Sequence, residues 1–528
     1  RATSLNRINT KLSPSQSAAL AAPITIEEMG GVLERAKKGK TPGVDGLPIE
    51  FYQKCWNFIG PILTLIAADL LAGHELPAEM VQAKIAMIPK TEAQAPLSSK
   101  FRPISLLNSD YKLLAAVIAS RVATTLPNLV DEHQTGFVPG RLILENITFN
   151  RDLIDFCEDT NSTLFMAFLD FEKAFDRVSW SYRDQVMERM GFPASLVDAV
   201  RGLYTHANSQ ISLNDRLTRP IRQTRGVRQG CPLSPVLFAI FAEPLGLLIR
   251  SLEQDVAGRP KCGVDLPRAD GESKRIVGSQ FADDTTLYAQ STAALRFSMS
   301  QIKEEFCTAS GAKLNADKTR TLEVGPVPDQ PIQPQQPPAS AWQQLELILL
   351  QEHESIKSLG ANYGPNTDPS ARFDIILEAI QARMGRWQAR YPSLHARVLI
   401  ANTLLSSCLW FFAYFISPSP AQLKRFDDVV WGMLWSKQRG GVGTRGQINR
   451  FRIAQQRSRG GLGVIIPSVM IRALRTNMVN RALMDTGRWW TPFFHHWCRS
   501  VAGGFFRGAD ILLQPPQQIK QAVRAIPS

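Results

Sequence analysis

The segment TLFMAFLDFEKAFDRVSW constrains this chain more than any other. It runs apolar without interruption from Leu164 to Leu169 and then presents Asp170 where the run gives out, which reads as a strand ending in a carboxylate. A little over a hundred residues later, GSQFADDTTLYAQ sets Asp283 and Asp284 between two β-prone runs, where a tight hairpin turn belongs. Acidic residues at strand ends suit a divalent-metal site, because hard cations such as Mg²⁺ take carboxylate oxygens and keep positions open for phosphate. Two ions ~4 Å apart can clamp the attacking and leaving oxygens of an in-line phosphoryl transfer. Spacing alone leaves a plainer alternative open, since Asp at a strand end is commonly a helix cap or turn residue.

The rest of the chain supplies a mixed framework. Apolar spacing predicts helices from Ile26 to about Arg35 and from Pro48 to Leu71, joined by the turn-rich GKTPGVDG. Gly39-Lys40-Thr41 imitates the end of a phosphate-binding P-loop, but the first glycine of that motif would fall on Glu34, which excludes it. Strands are predicted at Ala83 to Ile88, Thr163 to Phe171, a hairpin around Asn214-Asp215, and Ser279 to Ala289. Helices are predicted over 110–126, 141–157, 179–190, 193–204, 232–250 and 291–309. Without a regular βαβ repeat, this order favours an α+β domain. Residues 326–338 hold six prolines in thirteen and read as a linker or surface loop.

Several classes are excluded. The seven cysteines never come closer than 31 residues to one another in sequence, so no CxxC pair exists, and a reduced, intracellular chain is the default. His495, His496 and Cys498 stand alone and read as ordinary side chains rather than metal ligands. The longest apolar stretch, Leu399 to Ile416, is interrupted by polar residues and falls short of the ~20 residues of a span. It reads as a buried helix, and no membrane partner is expected. With no initiator Met and no signal peptide, the chain reads as a fragment of something longer.

One ordered series of motifs narrows the reading further. GKTPGVDGLPIEFY, AMIPK, FRPISLLNSDYKLL, HQTGFVPGR, FLDFEKAFDRVSW, GVRQGCPLSP, FADDTTLY, LNADKT and IKSLG, between about Gly39 and Gly360, together resemble the reverse transcriptases of non-LTR (LINE-type) retrotransposons. The resemblance implies a right-hand polymerase fold with fingers, a palm built on a ferredoxin-like antiparallel sheet, and a helical thumb. It also implies a division of the chain. Residues 1–25 would be a flexible lead-in, 26–155 an N-terminal extension and fingers, and 156–325 a palm with a fingers-linked hairpin near 208–228. A Pro-rich linker at 326–340 would precede the primer-grip turn and thumb at 341–435 and a basic nucleic-acid-binding segment at 436–528.

The same resemblance implies roles. Asp170, Asp283 and Asp284 would form the catalytic triad, holding two Mg²⁺ ions, or Mn²⁺, with help from the Phe171 carbonyl, and Asp284 would face partly away. Phe175, beside Ala174 in the nucleotide site, would close off the space next to the sugar 2′-carbon and reject ribonucleotides. Gln229 and Gly230 would approach the incoming dNTP, Arg102 and Lys112 would hold its triphosphate, and Lys318 would sit near the pyrophosphate. Leu359 and Gly360 would form the primer-supporting turn. The implied function is RNA-directed DNA polymerase, with an RNA template, a DNA primer or target, and dNTPs as partners. A catalytically inactive nucleic-acid-binding relic, or an intron-type maturase, is the alternative.

Charge places the polyanion. The net +13 arises wholly after residue 340: residues 1–340 hold 37 Lys+Arg against 37 Asp+Glu, and residues 341–528 hold 23 against 10. Within that part, Arg439, Arg445, Arg450, Arg452, Arg457 and Arg459 fall in 21 residues without an acid and would grip phosphates. Arg222, Arg225 and Arg228, recurring before the nucleotide loop, are candidates for template or primer contact, with a solvated hairpin as the plain alternative.

Overall fold

In a computed structural model of the chain, the strand Leu164–Leu169 is buried at every position and lies inside a four-stranded sheet. Arg320–Val324 pairs with it on one side and Asp284–Ala289 on the other, and Gly278–Phe281 closes the far edge. All three pairings are antiparallel. The structure describes residues 2–89, 101–214, 216–267, 273–326, 347–365, 368, 370–388, 392–416, 418–435, 448–484, 488–493 and 496. The Pro-rich stretch beyond Pro326, as well as Arg439, Arg445, His495 and Cys498, lies outside them. The chain divides into two compact units. One comprises Arg1–Ile143, Ser162–Asp265 and Arg275–Leu349, the other Leu144–Asn161, Leu266–Lys274 and Leu350–Ser528.

In the first unit, a second sheet is built on Gln82–Pro89. It pairs antiparallel with Phe101–Leu107 and parallel with Asn208–Leu213, to which the short strands Arg216–Leu217 and Ile221–Arg222 attach. Phe101–Leu107 was not among the expected strands, and it holds Pro103, which lacks a ladder donor. The edge position tolerates it. The helix Ser234–Ser251 is buried almost throughout and packs on Gly278–Phe281 of the first sheet, with Tyr182, Phe241, Phe306 and Phe171 meeting edge to face around it. The helix expected at 291–309 exists, but widens into a π-helical segment over Ile302–Cys307.

The first 25 residues depart from the expected lead-in. Ser13 caps the helix Pro14–Ala21 with a reciprocal capping box to Gln16, and Leu5, Ile8, Leu12, Leu20 and Ile24 are buried in the core. Arg7 forms a bidentate ion pair with Glu305. Small Ala and Ser residues obscured these widely spaced anchors in the sequence.

The core of the second unit is helical. Phe373, Leu377, Phe426 and Trp431 centre it among helices Ala371–Gln388, Leu394–Ile400, Ser407–Ala413 and Pro420–Trp435. Glu145, 1% exposed, is held by Arg481 and Arg488. The apolar stretch expected as a buried helix is longer and less buried than predicted. It runs 20 residues from Leu394 to Ala413 through a π-turn, and Leu399 and Leu404 are exposed. By length and composition this helix and Ser234–Ser251 would suffice to cross a membrane, but the latter is a core helix.

Candidate active site

Register places the acidic residues. Thr285 pairs with Leu169 in the antiparallel ladder, so the next position along sets Asp170 opposite Asp284 at the open end of the sheet. Asp283 lies beside them in the two-residue turn between Phe281 and Asp284, whose first residue, Ala282, has φ +57°. A hairpin that tight needs positive φ there. Burial, opposed by its own backbone hydrogen bond, raises the Asp283 carboxyl above its usual range, and the Asp170 charge adds to the rise. Asp284 is pushed up to about 6 by burial first, then by Asp283 and Asp170. The three carboxylates therefore share one electrostatic neighbourhood, with Asp284 coupled to both of the others.

The segment Leu314–Thr319 lies against Asp170. The Asn315 N–H donates to the Asp170 carbonyl (2.8 Å), and Thr319 Oγ1 accepts from the Asp170 N–H (3.4 Å). Lys318 is exposed, its Nζ 3.9 Å from Asp170 Oδ2. Phe171 bridges Leu314 through bonds made by the neighbours, Glu172 N–H to Lys313 O and Asn315 N–H to Asp170 O. That pattern leaves the Phe171 carbonyl outside the ladder.

Beyond Asp170, Lys173 at φ +47° starts a single 3₁₀ turn, Ala174–Arg177. It carries Phe175, half-buried and stacked on Phe238 at 4.4 Å between centroids. Phe137, at φ +64° and partly exposed, meets Phe175 edge to face at 6.1 Å and lies 6.3 Å from Phe281. The Val227 N–H donates to the Phe175 carbonyl (2.8 Å), which ties this turn to the loop leading into Gln229 and Gly230. Gly230 has φ +117°, and a Cβ there would sit 2.6 Å from the Ser105 carbonyl, so only glycine fits. The Gln229 carbonyl accepts from the Ser105 N–H (2.8 Å), docking the loop on the strand that presents Arg102 to solvent.

Lys112 is half-buried, and burial holds its ammonium below the usual range against the opposing pull of Asp45. With Gly230 it lines a cavity of about 870 Å³, whose other cationic walls are Arg35, Lys37 and Lys40.

Arg228 corrects the sequence reading. Arg222 and Arg225 are exposed, but Arg228 is 3% exposed, its Nε donating to Gln223 and its guanidinium lying over the Tyr111 ring. A guanidinium enclosed in this way braces the loop from within and does not meet a phosphate. Leu359 and Gly360, in the second unit, form the two-residue turn between Ile356–Ser358 and Ala361–Tyr363, both with positive φ, as a type I′ hairpin requires. Arg450, Arg452, Arg457 and Arg459 are exposed in the same unit. Arg450 also lies over Trp431 and near Asp428.

The sequence reading assigned no side chain of HQTGFVPGR, yet Gln134 is 1% exposed and bonded to Ala282, beside Asp283. The motif itself was legible; its role was hidden because Gln134 and Ala282 are far apart in sequence.

Among the described residues, no group of three or more His, Cys, Asp or Glu side chains is gathered tightly enough to hold an ion alone. The donor set nevertheless fits a hard divalent cation whose shell is completed by substrate phosphate. All its donors are oxygens, and burial first, with the neighbouring carboxylates adding to it, lifts two of its carboxyls.

A fold with this antiparallel sheet, three carboxylates at its open end and a glycine loop beside them is that of a template-directed nucleic-acid polymerase. Residues 88–363 match the family described as "Reverse transcriptase (RNA-dependent DNA polymerase)", and the chain belongs to that family. Its relatives place it with the non-LTR retrotransposon enzymes. The "Transposon TX1 uncharacterized 149 kDa protein" of Xenopus laevis is 31% identical over 83% of this chain and 33% of its own length. The "Retrovirus-related Pol polyprotein from type-2 retrotransposable element R2DM" of Drosophila melanogaster is 27% identical over 62% of this chain and 29% of its own length. The "RNA-directed DNA polymerase from mobile element jockey", also of Drosophila melanogaster, is 22% identical over 76% and 42%. The chain thus spans about a third of the length of the first two. Likeness to a solved apo telomerase from Candida tropicalis is slight: TM-score 0.34 at 14% identity, over 48% of this chain and 52% of that one.

Proposed function

We propose that this chain is the polymerase portion of a retrotransposon protein, extending a primer 3′-hydroxyl with dNTPs on an RNA template inside the cell. The observation that carries this reading is the register that sets Asp170 opposite Asp284, with Asp283 in the adjoining turn. The sheet bearing them acts as the palm, and the sheet bearing Arg102 as the fingers.

Asp170 and Asp283, with the Phe171 carbonyl, would hold two divalent ions, Mg²⁺ or Mn²⁺, and these would supply charge neutralisation at the reacting phosphates. Arg102 meets the triphosphate oxygens with its planar fork, and Lys112 adds a cation at the wall of the cavity it shares with Gly230. Gly230 lets the backbone approach the nucleotide where a side chain could not. Phe175, braced by Phe238 and Phe137, fills the space a 2′-hydroxyl would need, so deoxynucleotides are selected. Lys318, whose Nζ lies 3.9 Å from Asp170, would donate a proton to departing pyrophosphate. Leu359 and Gly360 support the primer end, and exposed arginines of the second unit hold nucleic-acid backbone.

Primer extension on an RNA template with Mg²⁺, comparing wild type with Asp283→Ala, tests the reading. Wild type is expected to extend the primer and the variant to lose at least about 100-fold in rate. Extension that survives the substitution overturns the catalytic assignment. A wild type that binds template-primer without extending it makes the chain a binding relic.

A further inference from the structure

We propose that Gln134 is a positioning residue that fixes the catalytic turn by holding both backbone polar groups of Ala282. This rests on the polymerase reading for its consequence, though not for its geometry. Gln134 Oε1 accepts from the Ala282 N–H (2.8 Å) and the Gly136 N–H (2.9 Å), and its Nε2 donates to the Ala282 carbonyl (3.2 Å). The amide cannot be turned over, because its NH₂ would then face two N–H donors.

Ala282 needs such a hold. Its φ of +57° is disfavoured for a residue with a Cβ, and a conformation of that kind persists only where the surroundings over-determine it. The hairpin supplies one side of the constraint through the Asp284–Phe281 pair. Residues 133–135 supply the other. The Gln280 N–H donates to the His133 carbonyl and the Thr135 N–H to the Gln280 carbonyl, both at 2.9 Å, covering the outer edge of Gly278–Phe281. Gly136 completes the fit, since a Cβ there would stand 2.2 Å from the Ala282 nitrogen.

The clamp is itself anchored. The Arg141 guanidinium donates to the carbonyls of Pro127, Val130, Asp131 and Gln134. Asp131 accepts from the His133 backbone N–H, pairs with Arg250, and gives its own N–H to buried Glu243 on the core helix. Rigid structure therefore runs from Ser234–Ser251 through this loop to the peptide beside Asp283. A buried, satisfied glutamine is ordinarily just part of a core. Here both ends of its amide grip the residue next to a catalytic carboxylate, where productive geometry tolerates only ~0.5 Å of drift.

The test uses Gln134→Leu, which removes the polar atoms, and Gln134→Glu, which when protonated restores an acceptor and a donor. Burial favours the protonated form, and ionisation removes the donor to the Ala282 carbonyl. In Gln134→Leu, kcat is expected to fall on the order of 10²-fold, with primer-template Kd and dNTP KM within about twofold of wild type. Gln134→Glu should recover activity at pH 6 and lose it, relative to wild type, toward pH 9. Independently of activity, amide exchange in the full chain should accelerate across residues 279–284 in Gln134→Leu but not across 164–169.

Wild-type kcat and unchanged exchange in a folded Gln134→Leu would overturn the proposal. So would a Gln134→Glu variant whose ratio to wild type ignores pH. If Gln134→Leu fails to fold, the pH profile of Gln134→Glu and faster exchange at 279–284 in Gly136→Ala decide it. If wild type makes no DNA, the polymerase reading fails while the exchange measurements still judge the clamp.

Discussion

Asp284 shows how a site can be costly to the fold that carries it. Although the residue is exposed at the strand end, the protein packed around its carboxyl, then Asp283 and Asp170, push that carboxyl up to about 6 in the folded chain, against ~4 for an aspartate free in solution. Between those values the folded chain keeps a proton that the unfolded chain has lost. The penalty to stability is therefore absent below about pH 4, grows as pH rises, and is complete above about pH 6. Asp284→Asn should accordingly melt above wild type by a margin that is largest above pH 6 and vanishes toward pH 4. Divalent cation added at pH 8 should narrow the margin, because it relieves the same repulsion. Thermal melts across pH 4–8 check this, and a margin independent of pH would refute it. The three carboxylates were legible as residues, since each follows a strand-forming run. Their closeness was legible only through the motif resemblance, because from the residues alone it depends on a register that the paired strands define.

At the scale of elements, the loop ending in Phe137 joins two functions. Gln134 holds the catalytic turn, and three residues later Phe137 rests on Phe175, which is stacked on Phe238 from the other side. Loss of the Phe175 ring should open space beside the sugar and raise rNTP incorporation relative to dNTP by about 10- to 100-fold in Phe175→Ala. Phe137→Ala removes only the brace, so a smaller change in the same direction is expected. Single-nucleotide incorporation measures both, and an unchanged ratio in Phe175→Ala would deny the gate.

Elements with strong periodicity, such as Ser234–Ser251 and Leu164–Leu169, were readable from the chain alone. Phe101–Leu107 was obscured by Pro103, and the buried side of Pro14–Ala21 by small residues. The π-helical turns at Ile302–Cys307 and Ala401–Leu405 leave no mark that a 3.6-residue period reveals. Arg228 misled because its threefold recurrence with Arg222 and Arg225 says nothing of which guanidinium the loop folds over.

For the whole molecule the decisive quantity is where charge sits. Residues 1–340 are electroneutral and residues 341–528 carry the whole excess, 23 Lys+Arg against 10 Asp+Glu. An acidic site cannot attract a polyanion by itself, so sequence-independent affinity has to come from the basic part. Its described surface has the right chemistry: exposed Arg452, Arg457 and Arg459 accompany Phe451, a residue 77% exposed and open to stacking by an unpaired base. Each phosphate neutralised releases counterion, which gives a log–log slope of roughly −0.7 to −0.9 in salt per contact. Deleting residues 436–528 should therefore flatten the salt dependence of template-primer binding by several contacts' worth, and Phe451→Ala should weaken binding to single-stranded RNA while leaving that slope unchanged. Binding measured by anisotropy across a salt series separates the two effects. A truncated chain with the full-length slope would mean that phosphate contacts lie elsewhere, with exposed Arg222 and Arg225 the next residues to substitute.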